Sequence, residues 1–305
     1  MQNTGLDRLR GSIPPLVTPL KDDAVDYDAY ARLVEFQIGE GSHGILVNGT
    51  TGEPSTLTVE ERNELVRVAV DTAAGRVPVC AATGGQSHRD TIALTEAAEK
   101  AGADALLVVT PYFIRPPQRG LADYYIDICG RTALPTMIYH IPGRAAVSIT
   151  TDTILRIRDK RDNLVGMKHA VNDLGAVTEV LSRVGPDFRI FVGLEELSFP
   201  MMAVGAVGLM NAVGNVAPRQ VAQLAEAVLN GDLARGRALH YALFELNQAV
   251  FFDTNPIPMK YMLKRLGLLP NEDHRLPMVP ANPELAERLD AVLRRAGLLR
   301  DGAGA

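Results

Sequence analysis

Eight short apolar runs, each followed by a helical pattern, constrain this chain more than any other feature. The runs span residues 13–20, 44–48, 77–82, 105–110, 136–140, 164–168, 189–192 and 207–210. Between them, residues 26–40, 58–74, 87–100, 118–132, 150–158, 173–184 and 195–204 carry apolar residues at helical spacing, several opened by a capping residue such as Asp26, Thr58 or Ser87. Strands that alternate with helices pair in parallel, because only a crossover helix returns the chain to the same sheet edge. Eight such units predict a closed (β/α)8 TIM barrel of the α/β class. A doubly wound sheet is the other architecture with this alternation, but no GxGxxG follows the first run. Beyond about residue 218 the strands stop, and 220–229, 233–251, 258–266 and 283–296 all read as helices. The expected organisation is a barrel catalytic domain over 1–217. A helical region over 218–305 packs on it, since no Gly/Ser-rich linker separates the two.

At 305 residues the chain suits one large domain, or one large and one small. A net charge of −5, with no basic stripe and no interleaving of Arg with aromatics, argues against nucleic acid as a partner. The longest apolar run, 203–213, is broken by glycines and too short to span a bilayer, which argues against a membrane role. The opening MQNTGLDRLRGS has no apolar signal-peptide core. Cys80 and Cys129 read as two buried free thiols, which suits a reducing compartment. Six scattered histidines and no CxxC make a metal site unexpected. A cytoplasmic protein is the simplest expectation.

Barrel sites form at the C-terminal ends of strands. Of the six lysines, only Lys168 closes an apolar strand. A lysine aimed into a barrel mouth is partly desolvated, which favours the neutral amine, and a neutral amine can attack a ketone to form a Schiff base. A strand-end lysine that snorkels to water is the plainer alternative. Gly49-Thr50-Thr51-Gly52 offers backbone N–H groups and two hydroxyls to a small carboxylate, or is simply a turn before a helix. Tyr139 is a phenol able to take or give a proton near the lysine, or a core tyrosine. Arg144, after Pro142-Gly143, presents a planar fork to a second carboxylate, or is a solvated loop residue. Taken together, one amine, one phenol and two anion sites describe chemistry on a keto acid and a second acidic molecule.

The motifs NGTTGE (48–53), TPYF (110–113), YHIPGR (139–144), GMK (166–168) and NPIPMK (255–260) resemble the dihydrodipicolinate synthase/N-acetylneuraminate lyase family. Its members are pyruvate-dependent class I aldolases and dehydratases with a (β/α)8 fold and a C-terminal helical region. The resemblance runs nearly end to end, through LGLLP and RLPMVP near 266–280, and is closest to the synthase branch. It implies that Lys168 condenses with pyruvate, whose carboxylate rests on the Thr50 and Thr51 N–H groups beside Gly49. It implies that Tyr139 moves protons and forms the enamine, with Thr50 as its relay, and that Arg144 holds the carboxylate of the aldehyde. Met210, ending the eighth strand, joins the substrate-binding set. No metal or organic cofactor is implied, because the lysine imine is the electron sink. A homotetramer, as a dimer of dimers, is the family's common assembly.

The chain departs from the synthase pattern near the mouth. Phe113 stands where the second relay tyrosine is usual and cannot carry a proton. His140 replaces a usual Asn, His169 a usual Glu, and Leu194 a usual acidic residue. These four are candidate specificity residues. The leading expectation is condensation of pyruvate with L-aspartate 4-semialdehyde. The nearest rival is a related 2-keto acid aldolase, hydratase-aldolase or 2-keto-3-deoxy sugar acid dehydratase using the same imine. A non-catalytic keto-acid sensor is a third reading. A phosphate-binding barrel built on 208–216 is a weaker fourth, since no Lys or Arg occurs there until Arg219.

Overall fold

The computed structural model describes residues 5–299. Residues 1–4, the start of the segment read above as no signal peptide, lie outside the described residues. Eight parallel strands form the central sheet: β1 (Gly11–Ser12), β2 (Ile45–Val47), β3 (Val79–Ala82), β4 (Ala105–Val109), β5 (Thr136–His140), β6 (Leu164–His169), β7 (Arg189–Val192) and β8 (Gly208–Leu209). From β2 to β8 each pairs with its neighbours in sequence, and β8 pairs with β1. The ring closes between β1 and β2 just past the two prolines: Leu46 N donates to Pro14 O at 3.0 Å and Leu16 N to Leu46 O at 3.1 Å. The helices on the outside are α1 (Tyr27–Gly39), α2 (Val59–Ala73), α3 (His88–Lys100), α4 (Gln118–Cys129), α5 (Thr151–Arg158), α6 (Leu174–Val184), α7 (Ser198–Ala203) and α8 (Pro218–Leu229). This is the (β/α)8 barrel that the alternation predicts.

The first strand differs from its expected span of 13–20. Pro14 and Pro15 have no N–H, so they break the ladder, and regular pairing is confined to Gly11–Ser12. Leu20–Lys21 instead forms a small antiparallel hairpin with Ala24–Val25. The strands are buried on both faces, as parallel strands must be. Leu46, Cys80, Leu107, Met137, Tyr139 and Phe191 fill the barrel interior, while Ile45, Val79, Leu106, Ile138 and Ile190 face the helices. Cys80 and Cys129 are both buried free thiols.

The C-terminal helices are α9 (Leu233–Ala242), α10 (Phe244–Ala249), α11 (Ile257–Arg265) and α12 (Pro283–Arg295). The helix expected over 233–251 is therefore two, divided at Leu243. Leu246, Met262, Leu289 and Leu293 belong to the same apolar core as the barrel's outer layer, so this region packs on the barrel. Among the described residues no helix is long and apolar enough to cross a membrane.

Candidate active site

A one-residue irregularity between β5 and β6 aims the central lysine. Thr136 pairs with Leu164 but Met137 pairs with Gly166, so Val165 is an extra residue in the ladder. Successive side chains on a strand alternate faces, and an extra residue reverses the phase of everything after it. Without that extra residue, Lys168 would share Leu164's outward face. With it, Lys168 lies opposite Tyr139 and points into the barrel. Gly166 makes the close packing feasible: a Cβ there would come within 2.1 Å of the Arg189 carbonyl oxygen. The lysine stem then runs over Gly193, where a Cβ would lie 2.9 Å from Lys168 Cε. Lys168 is 4 % exposed, and its Nζ sits 4.5 Å from the centroid of the Tyr139 ring.

The loop after β2 delivers the hydroxyls. Thr50–Gly52 is a single 3-10 turn closed by Gly52 N on Gly49 O (2.8 Å) and Glu53 N on Thr50 O (3.1 Å). The Thr50 and Thr51 amides come before this ladder, as at the start of any helical turn. Asn48 (φ 57°) and Glu53 (φ 53°) bracket the turn in the left-handed region. Such conformations persist where surrounding structure over-determines them. The Asn48 side chain donates to Arg62 O at 2.9 Å. The Glu53 carboxylate is buried between Lys260 Nζ (2.6 Å) and His274 Nδ1 (2.8 Å). Asn255 Nδ2 donates to Thr51 Oγ1 at 2.9 Å, so the C-terminal region fixes the loop at two points. Thr50 Oγ1 then lies 3.2 Å from Tyr139 Oη.

Lys168, Tyr139, Thr50, Thr51, Arg144, Leu194 and Met210 line one cavity of about 50 Å³ at the C-terminal end of the strands. Tyr139, Thr50, Gly49 and Arg144 also line an adjoining space of about 290 Å³, which continues to Arg62 and Tyr112. Arg144, on the one-turn helix Pro142–Ala145, thus stands where both meet. A buried amine beside a phenol–hydroxyl pair, with room for a small molecule and an arginine at its outer edge, can perform imine chemistry with proton transfer on site.

Three candidate specificity residues lie elsewhere. His140 and His169 are paired in register and face outward, away from Tyr139 and Lys168. They are buried with their Nδ1 atoms 3.3 Å apart, and neither lines a cavity described above. Burial pushes both imidazoles down, His140 to about 4 with its neighbour's help. Phe113 is 84 % exposed on the loop after β4 with φ 74°, in the left-handed region.

Sequence reasoning passes over Glu195, Asn255 and the Glu53–Lys260–His274 cluster. Glu195 lies two residues beyond Gly193, at the C-terminal end of β7, where barrel sites form; that position is the available signal. It lines the Lys168 cavity and is fully buried, and burial pushes its carboxyl up.

The chain matches the family described as the dihydrodipicolinate synthetase family over residues 8–296. It belongs to that family. It is 46 % identical over 292 residues to a 4-hydroxy-tetrahydrodipicolinate synthase of Thermus thermophilus, covering 95 % of this chain and 97 % of the relative. The crystal structure of dihydrodipicolinate synthase from Aquifex aeolicus superposes with a TM-score of 0.94 at 39 % identity, covering 96 % of this chain and 100 % of that one. A dihydrodipicolinate synthase from Acinetobacter baumannii, solved in complex with pyruvate, gives a TM-score of 0.92 at 34 % identity over 95 % of this chain and 100 % of that one. Family membership makes the chain a class I pyruvate-dependent lyase/synthase by descent.

Proposed function

We propose that this protein condenses pyruvate with L-aspartate 4-semialdehyde, the reaction of a 4-hydroxy-tetrahydrodipicolinate synthase, through an imine on Lys168. The observation that carries the reading is the buried Lys168 amine set against Tyr139, with Tyr139 Oη 3.2 Å from Thr50 Oγ1. The neutral amine attacks the pyruvate ketone. Tyr139 carries the proton from nitrogen to oxygen in the carbinolamine, then removes a proton from C3 of the imine to give the enamine. Thr50 orients the phenol and relays its proton. The pyruvate carboxylate rests on the Thr50 and Thr51 amides beside Gly49, with Met210 as part of the wall. The enamine carbon then attacks the aldehyde, whose carboxylate pairs with Arg144. The imine withdraws the electrons that a cofactor would otherwise take, so the reading includes no metal or organic cofactor.

A second reading keeps the imine and changes the aldehyde. The apolar Leu194 on the cavity wall favours it. Pyruvate consumption with L-aspartate 4-semialdehyde, against Lys168→Ala as blank, separates the two. Turnover of about 1–100 s⁻¹, around the usual enzyme median, supports the synthase. Negligible turnover in a folded protein moves the assignment to another aldehyde or keto acid. Phe113→Tyr adds a control: an unchanged rate means the missing hydroxyl is not limiting. The reading also includes a homotetramer, testable by light scattering, and a cytoplasmic setting, in keeping with the two free thiols.

A further inference from the structure

We infer that Glu195 is a further catalytic residue, the base that takes the proton from the Lys168 ammonium and the acid that later returns it to the departing water. The inference rests on the Lys168 imine proposed above and adds the proton balance that Tyr139 alone leaves open. An ammonium must lose a proton before it can attack. Tyr139 is already engaged in moving a proton from nitrogen to oxygen and then from C3.

Glu195 has the geometry for this task. Glu195 is 2 % exposed, and its Oε1 accepts from the Ala212 amide at 2.6 Å, which orients the group. Its own backbone carbonyl is held by Ser198 Oγ (2.7 Å) and Asn247 Nδ2 (3.4 Å), which fixes the main chain that presents the carboxyl. Oε2 is buried and has no hydrogen-bond partner. Leaving a buried carboxylate oxygen unpaired costs its full desolvation, and the cost is explained if the oxygen serves a proton or a substrate in the cavity. The cavity it lines also holds Lys168, and about 50 Å³ accommodates a bridging water beside the amine.

The electrostatics run in the same sense. The charged and titratable groups sharing this cavity are Lys168 on β6, Tyr139 on β5 and Arg144 after it. Asn255 on the same cavity and Asn247 on the Glu195 backbone carbonyl are neutral, and Glu196 lines an adjoining space with Glu195, Phe251 and Phe252. Burial pushes the Glu195 carboxyl up; hydrogen bonds from its own amide and that of Ala212, and after them the charge of Lys168, oppose that push. The carboxyl therefore gains proton affinity when Lys168 loses its charge and gives the proton up when the iminium restores it.

The steps balance. Lys168–NH₃⁺ and Glu195–COO⁻ become Lys168–NH₂ and Glu195–COOH. The amine adds to the ketone, and Tyr139 carries a proton from nitrogen to the new oxygen. Glu195–COOH protonates that hydroxyl as the C–O bond breaks. Water leaves, the nitrogen lone pair forms the C=N bond, and the iminium faces Glu195–COO⁻.

Glu195→Gln keeps the shape and the acceptor for Ala212 N–H but cannot take a proton. The rate of imine formation is read by quenching with borohydride after mixing with pyruvate and weighing the Lys168 peptide across pH 5–9. The parent is expected to lose rate on the acid side as the carboxyl protonates. Glu195→Gln should be about 10²-fold slower, on the scale of one acid–base group, and lack that acid limb. Glu195→Asp should recover part of the rate with the limb restored. Exchange of C3 hydrogens for deuterium, per trapped imine, should be unchanged in Glu195→Gln, since Tyr139 performs that step. A parent and a Glu195→Gln variant with the same rate and the same pH profile overturn the role of Glu195 while leaving the imine intact. No adduct in the parent at any pH overturns the Lys168 reading itself. Should Glu195→Gln fail to fold, the Glu195→Asp profile decides: an acid limb displaced from the parent's supports the role, and an identical profile refutes it.

Discussion

Replacing Lys260 by Met should loosen the catalytic loop from a distance and cost about 3 kcal/mol of stability. Lys260 and Glu53 are 1 % and 4 % exposed at their side chains and meet at 2.6 Å. Burial pushes the Glu53 carboxyl up, but the hydrogen bond from His274 and the charge of Lys260 outweigh it and hold the group below the usual carboxylate range. Burial pushes Lys260 down as well, and the attraction of Glu53 does not fully offset that. The pair is therefore near break-even as a source of stability, and its worth lies in where it holds Glu53, next to Thr50–Gly52. Removing one partner of a buried pair typically costs about 3–5 kcal/mol, because the remaining charge is stranded. His274, 2.8 Å from the same carboxylate, keeps the expected loss at the lower end. At roughly 2 °C or more per kcal/mol for a chain of this size, the melting midpoint should fall by about 6 °C. Glu53→Gln combined with Lys260→Met removes both charges and should return to within about 1 kcal/mol of the parent. Urea unfolding measures the stabilities, and the pyruvate dependence of imine trapping reads the loop, with a raised half-saturation expected in the single variant. A Lys260→Met protein within about 0.5 kcal/mol of the parent, the size of an ordinary surface change, would refute the reasoning. So would a double variant as unstable as the sum of its parts.

The outward histidine pair should make stability depend on pH. His140 is pushed down to about 4 by burial first and by His169 next, so both imidazoles are neutral in the fold. The unfolded chain binds protons near pH 6.5 and the folded one only near 4, so the stability is fully present above 6.5 and is lost as pH falls toward 4, by on the order of 3 kcal/mol. Urea titrations at pH 7 and pH 5 should show a steeper loss in the parent than in His140→Asn, and equal slopes would contradict this. Gly193→Ala would place a Cβ 2.9 Å from both Lys168 Cε and Ala170 Cβ. Overpacking of this kind shifts side chains, so trapping on Lys168 should slow at least about ten-fold while far-ultraviolet circular dichroism is unchanged. Undiminished trapping would mean that the lysine stem does not depend on Gly193.

Much of the barrel is legible because buried parallel strands are short, nearly unbroken apolar runs, such as Ala105-Leu106-Leu107-Val108-Val109. The first strand is misread because the apolar run 13–20 contains Pro14 and Pro15, which are hydrophobic but cannot donate to a ladder. The inward aim of Lys168 is legible from its place at a strand end and from the GMK motif but not from periodicity, since it follows from Val165 being skipped in the register, a pairing between two strands. The outward placement of His140 and His169 is legible: once Tyr139 and Lys168 face in, period-two alternation turns their neighbours out. Glu195 is easily overlooked because an acidic pair after a strand is ordinarily solvated. What buries it is the C-terminal region, through Asn247 on α10 and Phe251 beyond it, about fifty residues away in sequence. Asn255 and Lys260 likewise stand in a recognisable motif, but only the fold brings them to Thr51 and Glu53.

Borohydride reduction in the presence of pyruvate, followed by mass mapping of the proteolysed chain, tests the central claim most directly. The account predicts a single adduct of one reduced pyruvate on the peptide bearing Lys168. It predicts none on the peptides bearing Lys21, Lys100, Lys160, Lys260 or Lys264, and none in Lys168→Ala. A folded protein with no adduct from pyruvate or related keto acids would contradict the Schiff-base assignment and leave a keto-acid sensor as the surviving reading.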